Sequence, residues 1–220
     1  MGQSDEPEYD VRHDRLRYFM PRLTAADFAA DPIAQFGHWL DNAAQTGVSE
    51  PNAMVIATAS GRGQVRARTV LLRGYDAQGF VFFTNYESQK GSQLAENPEI
   101  SACFSWVGYH RQVIIEGQAV RVSAAESDAY FASRPYESQV GSAASPQSTV
   151  ISSLEEVEQE MQRLEQAHPR VVPRPDHWGG YRIVPRCIEF WQGNTGRLHD
   201  RFRYRRDNDS AGWTLERLAP

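Results

Sequence analysis

The sequence predicts a mainly β protein with peripheral helices, an α+β chain built on an antiparallel meander or barrel. Three observations carry that expectation. From residue 52 the apolar pattern takes the period of strands, with candidates at 53–59, 65–73, 79–85, 99–106 and 111–122. The links between them are of hairpin length and carry turn chemistry such as Gly61-Arg-Gly63 and Asp76-Ala-Gln-Gly79. Further strands are expected at 179–184, 187–192, 198–206 and 212–218, without the regular strand–helix alternation of a parallel sheet.

The remaining elements follow in chain order. Residues 1–30 read as an arm that becomes a short amphipathic segment from Arg15 to Leu23. Asp31-Pro32 supplies an N-cap and a proline at the first helical position, and Ile33, Phe36, Leu40 and Ala44 continue at helical spacing until Gly47. A short helix is expected from Lys90 to Asn97. Ser123 with Glu126 forms a capping box for a helix running to Arg134. Ser152 with Glu155, or Ser153 with Glu156, opens a third, whose Leu154, Val157, Met161 and Leu164 make a stripe suited to core or interface packing. Residues 169–175 form a proline-rich connector. No composition break or repeat divides the chain, so residues 31–220 read as one domain.

Composition removes several classes of function. A formal charge of −5 and a pI near 5.7 lack the basic excess of a duplex nucleic-acid binder. No apolar run reaches membrane-spanning length, and mean hydropathy is −0.57. The acidic, polar start is unlike a signal peptide, and Gly2 with Glu6 does not make a myristoylation site. Cys103 and Cys187 lie far apart among strand residues and read as buried free thiols, which fits a reducing cytoplasm. Lys90 is the only lysine among 23 basic residues, so no mechanism needing several lysines is open.

The usual catalytic motifs are missing. Gly61-Arg-Gly63 is a turn, since no helix follows it, and there is no Walker loop or serine elbow and no metal-spaced His/Cys cluster. Anion-binding groups remain. In the segment 197–205, strand alternation puts Arg197, His199, Arg201, Arg203 and Arg205 on one face and Leu198, Phe202 and Tyr204 on the other. Phe190-Trp191 lie just before them; aromatic surface beside cations suits a planar, phosphorylated ligand. Thr84-Asn-Tyr-Glu-Ser88-Gln-Lys90 ends a strand and opens a helix, a natural phosphate cradle. Arg68 and Arg73 are five residues apart, so strict alternation sends them to opposite faces unless a bulge intervenes.

Taken together, Trp178-Gly-Gly-Tyr-Arg, Ile188-Glu-Phe-Trp-Gln-Gly, Arg197-Leu-His-Asp-Arg201, Ser133-Arg-Pro-Tyr-Glu-Ser138-Gln, Gln147-Ser148 and Arg111-Gln112 resemble the pyridoxamine 5′-phosphate oxidase family. The likeness runs from about Arg15 to Pro220. It implies an antiparallel FMN-binding split β-barrel and a homodimer with FMN held between subunits. It also implies oxidation of pyridoxamine or pyridoxine 5′-phosphate to pyridoxal 5′-phosphate by hydride transfer to the flavin, with dioxygen reduced to hydrogen peroxide.

By the same resemblance, Arg68, Thr84, Ser88, Lys90, Gln147 and Ser148 match the FMN phosphate and ribityl side. Val70 and Leu71 match backbone contacts, Phe83 stands where the family often has Tyr, and Gln112, Trp191 and Arg201 match flavin contacts. Arg73, Tyr130, Arg134 and Ser138 match the substrate-phosphate site. Arg197 and His199 match the catalytic pair that holds the pyridine ring, and Arg15 and Tyr18 match a segment closing over the substrate. No metal is implied. Two alternative readings are a flavin oxidase of the phenazine-biosynthesis type and a non-catalytic flavin- or pyridoxal-phosphate-binding protein.

The chain departs from the family pattern at three places: Gln89 replaces an arginine of Ser-Arg-Lys, Arg73 replaces a lysine, and Gly141-Ser-Ala-Ala-Ser-Pro146 lacks a bulky aromatic. With one cation missing beside the matched phosphate position, Gln89→Arg is expected to tighten FMN roughly fivefold, the worth of one solvated ion pair. Quenching of FMN fluorescence by apoprotein measures it; an unchanged dissociation constant contradicts the assignment.

Overall fold

In a computed structural model, residues 20–207 and 212–220 are described; the expected site residues Arg15 and Tyr18 lie outside them. The helices are α1 (Pro32–Gln45), α2 (Gln89–Glu96), α3 (Ala124–Ser133), α4 (Tyr136–Ala144) and α5 (Glu155–Ala167). The strands are β1 (Ala53–Ala59), β2 (Val65–Leu71), β3 (Gly74–Asp76), β4 (Gly79–Asn85), β5 (Glu99–Trp106), β6 (Arg111–Arg121), β7 (Trp178–Gln192), β8 (Asp200–Arg205) and β9 (Thr214–Leu218). All described strand pairs are antiparallel, in the order β2-β1-β5-β6-β7-β4-β3, with β8 on β7 and β9 on β8. Contact between β2 and β4 curls this sheet into a split barrel.

Strand β7 organises the sheet. Its first part pairs with β4 and its last part with β8, while β6 follows it on the other side past a register shift at Glu116/Gly117. The expected strands 179–184 and 187–192 are therefore one strand carrying a bulge. Helix α1 plugs the barrel. Asp31 accepts from the Ile33 and Ala34 amides, and Phe36 and Trp39 are buried against Phe80, Phe104 and Phe190. Within the expected arm, Leu23 and Phe28 pack on this same core, Phe28 lying 4.5 Å from the Phe202 ring. A second, smaller core joins Phe131, Val140, Val172 and Trp178 beneath α3–α5. Among the described residues no helix is long and apolar enough to cross a membrane, and both cysteines are free and half-buried.

Several local expectations change. Residues 141–144, read as loop, end helix α4, which the small and polar residues of this stretch did not signal. Helix α5 starts at Glu155 behind Leu154, without a side-chain cap bond from Ser152 or Ser153 to a backbone amide. Its stripe is only partly covered: Met161 and Leu164 pack on the second core while Leu154 is 64% exposed. Strand β8 starts at Asp200 instead of 198, because Arg197 has a left-handed φ of 61° within a short 3₁₀ turn. Leu198, expected on the face of Phe202 and Tyr204, is 56% exposed while those two are buried.

Phe36 has no exposed surface and meets Tyr75, Phe80 and Phe104 at ring-centre distances of 5.1, 4.9 and 4.9 Å. Phe36→Ala is expected to cost about 3–5 kcal/mol of stability. A urea midpoint unchanged from wild type would show that α1 is not the plug of this barrel.

Candidate functional site

The end of β4 and the start of α2 build a cationic cradle. The Ser88 hydroxyl caps α2 at the Gly91 amide and donates to the Asn85 carbonyl at 2.7 Å. That cap turns Lys90 back toward β4, where its Nζ donates to Thr84 Oγ1 (3.0 Å), Ser88 Oγ (3.2 Å) and Gln147 Oε1 (2.7 Å). Lys90 is 9% exposed. Burial first, and the nearby Arg68 charge second, push its pKa down to about 8. Arg68, from β2, donates to Thr58 Oγ1 at 2.6 Å. No described carboxylate lies within ion-pair distance of either cation. Buried and part-buried cations are ordinarily paired, so an anion from outside the chain would complete this cradle.

Both cations line a cavity of about 480 Å³ together with Val70, Leu71, Arg73, Phe83, Thr84, Tyr130, Arg134 and Gln147. Arg68 and Arg73 share it because β2 stops at Leu71 and the Arg73 amide crosses to the Val81 carbonyl, which ends the alternation without a bulge. At the Arg73 end, Arg134 donates to Ser142 Oγ (2.9 Å) and sits 4.7 Å from the Trp178 ring centre. In the same lining, Phe83 stacks on Tyr130 at 3.9 Å and 19°, and on Trp178 at 5.5 Å and 12°. Gly179 and Gly180 make room for this: added Cβ atoms would lie 2.1 Å from Tyr86 Oη and 2.8 Å from Phe83 Cε1.

Ser88, Ser138 and Ser148, expected beside these residues, do not line the cavity. Ser88 is fully buried and acts through its cap and through Lys90. Ser138 is half-buried in the first turn of α4, and Ser148 is exposed at a left-handed φ of 74° beside the lining Gln147. Sequence reasoning missed Asn85, Ser142 and Ser145 in the lining, and the partners of Arg68 behind it. Thr58 had left a signal: it is a polar residue in register with the core-facing Met54 and Ile56 of β1.

The other expected residues form a separate group. Gln112 pairs with Trp191 across β6–β7, and Trp191 pairs with Arg201 across β7–β8. Arg201 makes a two-pronged ion pair with Glu189 at 2.7 and 3.1 Å. His199 lies 4.7 Å from the Trp191 ring, and its Nδ1 accepts from the Asn194 amide at 3.1 Å. The neutral ring therefore carries its proton on Nε2. Burial, then Arg197 and Arg22, lower the His199 pKa against the opposing pull of Asp200. Asp200 is fully buried and anchors this corner, accepting from the Leu23 amide (3.0 Å), Asn194 Nδ2 (2.6 Å) and Arg217 (2.6 Å).

Trp178 opens β7 and Trp191 nearly closes it. At ~3.3 Å per residue the two lie roughly 40 Å apart along the strand path. None of Gln112, Trp191, Arg197, His199 and Arg201 lines the cavity. The two groups of expected residues thus stand at opposite ends of the longest described strand.

Comparison with known proteins gives a consistent result. Residues 40–168 match the family model described as pyridoxamine 5′-phosphate oxidase, and residues 178–220 match the pyridoxine 5′-phosphate oxidase C-terminal dimerisation region. The chain is 48% identical over 206 residues to a pyridoxine/pyridoxamine 5′-phosphate oxidase of Paraburkholderia phytofirmans, covering 94% of this chain and 97% of the relative. It is 49% identical over 221 residues to the enzyme of that name from Acaryochloris marina, with full coverage of both. Among solved structures, PhzG from Burkholderia lata, in complex with tetrahydrophenazine-1-carboxylic acid, superposes with a TM-score of 0.84 at 32% identity, covering 90% of this chain and 98% of that one. A pyridoxamine 5′-phosphate oxidase-related, FMN binding protein from Nostoc punctiforme shares the fold, with a TM-score of 0.70 at 16% identity over 88% and 100% of the two chains.

Lys90 sets a pH dependence. Its pKa falls from 10.5 to about 8 on folding, so the unfolded chain binds more protons between those values. The cost of burying the charge is complete below about pH 8 and is relieved as pH rises toward 10.5. Ligand-free protein should accordingly gain stability against Lys90→Met as pH rises through that window. Inorganic phosphate affinity should fall above about pH 8, by up to roughly tenfold per pH unit. Parallel denaturation and binding curves for the two proteins would show a different origin.

Proposed function

The chain belongs to the pyridoxamine 5′-phosphate oxidase family, and we propose that it is an FMN-dependent oxidase converting pyridoxamine and pyridoxine 5′-phosphate to pyridoxal 5′-phosphate. The observation that carries this reading is a cavity lined by two cationic pairs, Arg68 with Lys90 and Arg73 with Arg134, and by the stacked rings of Phe83, Tyr130 and Trp178. Arg68, Lys90, Thr84 and Gln147 would hold the FMN phosphate, with Val70, Leu71 and Phe83 along the cofactor. Arg73 and Arg134 would take the substrate phosphate, and Tyr130 would flank the ring. FMN, when bound, would supply a two-electron acceptor for the hydride of the substrate's C4′ carbon and pass the electrons to dioxygen as hydrogen peroxide, the amine substrate also taking up water and releasing ammonia to reach the aldehyde.

The far half-site completes the cavity if a second copy brings it there. A twofold homodimer would do so, and the match of residues 178–220 to a dimerisation region supports it. Gln112, Trp191 and Arg201 of one copy would then face the flavin held by the other. His199, donating through Nε2–H, and the exposed Arg197 would orient the pyridine ring. Both groups bind and position, which is the protein's share of the work when a cofactor carries the electrons. The free, half-buried Cys103 and Cys187 suit a reducing cytoplasm.

The likeness to PhzG supplies a second reading, a flavin oxidase acting on a tricyclic acid. Arg73 and Arg134 together favour a doubly charged phosphate over a single carboxylate.

Two measurements test the proposal. FMN-loaded protein given pyridoxamine 5′-phosphate and oxygen should form pyridoxal 5′-phosphate and peroxide; turnover of the phenazine acid instead selects the second reading. Lys90→Met and Arg197→Glu should each lose most activity. Their random hybrid should recover about a quarter of the wild-type rate, because half of the dimers hold one intact site. No recovery in verified hybrids would place both half-sites' work within one chain.

A further inference from the structure

Arg68 is held in an unusual way. Part-buried arginines are commonly matched to a carboxylate, but the partners of Arg68 are neutral oxygens. Thr58, 1% exposed on the core-facing side of β1, accepts from Arg68 Nη1 at 2.6 Å. The Thr58 hydroxyl proton goes to Gln93 Oε1 at 2.6 Å, and Arg68 Nη2 lies 3.4 Å from that same oxygen. Gln93, 7% exposed on α2, has its amide orientation set because Nε2 donates to the Gln64 carbonyl at 3.0 Å. The donors therefore run in one direction, from Arg68 to Thr58 to Gln93 to the backbone, and no member can reverse without leaving an acceptor facing an acceptor.

Such a chain fixes the guanidinium without neutralising it. Arg68 spends one face on neutral dipoles and keeps its full charge beside Lys90, and both line the cavity. A glutamate at position 93 would be nearly isosteric and would pair with Arg68, so the amide is the choice that leaves the charge free for a ligand.

We propose that Thr58 and Gln93 are positioning residues that hold Arg68 as an uncompensated cation, and so set the preference of this cavity for a phosphorylated flavin over the unphosphorylated one. This rests on the flavin reading given above. Neither residue touches the ligand; they act through Arg68.

The test uses full-length apoprotein, with FMN and riboflavin as probes and fluorescence quenching as readout. Wild type should bind FMN well above riboflavin; equal binding of the two would sink the flavin-phosphate reading itself. Gln93→Glu should lower FMN affinity roughly tenfold or more and leave riboflavin affinity unchanged, while the loss of the Nε2 donor to the Gln64 carbonyl offsets the new ion pair in the melting temperature. Thr58→Val should reduce the FMN-to-riboflavin ratio and Thr58→Ser should restore it, a comparison that stands even if Gln93→Glu fails to fold. An unchanged FMN-to-riboflavin ratio in the folded variants, whether both ligands hold or weaken equally, would overturn the inference and leave Thr58 and Gln93 as ordinary buried packing.

Discussion

A buried lysine and a part-buried arginine without a carboxylate between them are the constraint on which this molecule turns. Desolvating Lys90 and Arg68 side by side costs stability, and the chain offsets that cost only with neutral oxygens: Thr84, Ser88 and Gln147 around one, Thr58 and Gln93 around the other. Those oxygens come from β1, β4, α2 and the segment after α4. The cradle therefore exists only once the barrel has closed and α2 has docked. Its missing negative charge is what an anionic ligand supplies, so binding relieves a strain that folding created.

A second consequence follows from the length of β7. One strand begins at Trp178, inside the aromatic shelf, and ends beside Trp191 and the buried Asp200 anchor. Its length keeps the two groups of candidate residues apart within a chain, and past the register shift opposite Glu116/Gly117 its second half pairs with β8. Catalysis of the proposed kind then depends on association, and the geometry of each half is set before the partner arrives. Asp200 contributes on its side by tying the segment at Leu23, the Asn194–His199 turn and Arg217 to one carboxylate.

Much of the fold was legible from residues alone, because each legible element carries its own chemistry. Asp31-Pro32 caps α1, and Ser123 caps α3 at the Glu126 amide. β1 and β5 start and stop where their alternation does, and β4, buried on both faces, spans the apolar run 80–83 and its flanks. Less of the rest was readable where the deciding contacts are distant. Helix α4 has a proline before it and small residues throughout, and its Val140 and Ala144 are ordered by burial, Val140 within the second core. Arg197 fell off its expected strand because a left-handed φ is selected by the turn that Asp200 and Asn194 pin, not by the residue itself.

The sequence by itself determined the antiparallel class, the cation-and-aromatic character of the site and the family likeness that assembled it. Local spacing and residue type are enough for those, since hydrophobic period, caps and charge are properties of short segments. Only the tertiary structure decided that Arg68 and Arg73 share a cavity, that Ser88 works from behind Lys90, and that Arg197 and His199 stand at the far end of β7. Each of those depends on where a strand stops or how far it runs in space, which is fixed by pairing across the sheet. The lone lysine was visible at once; what made it a site was the burial that only the folded barrel imposes.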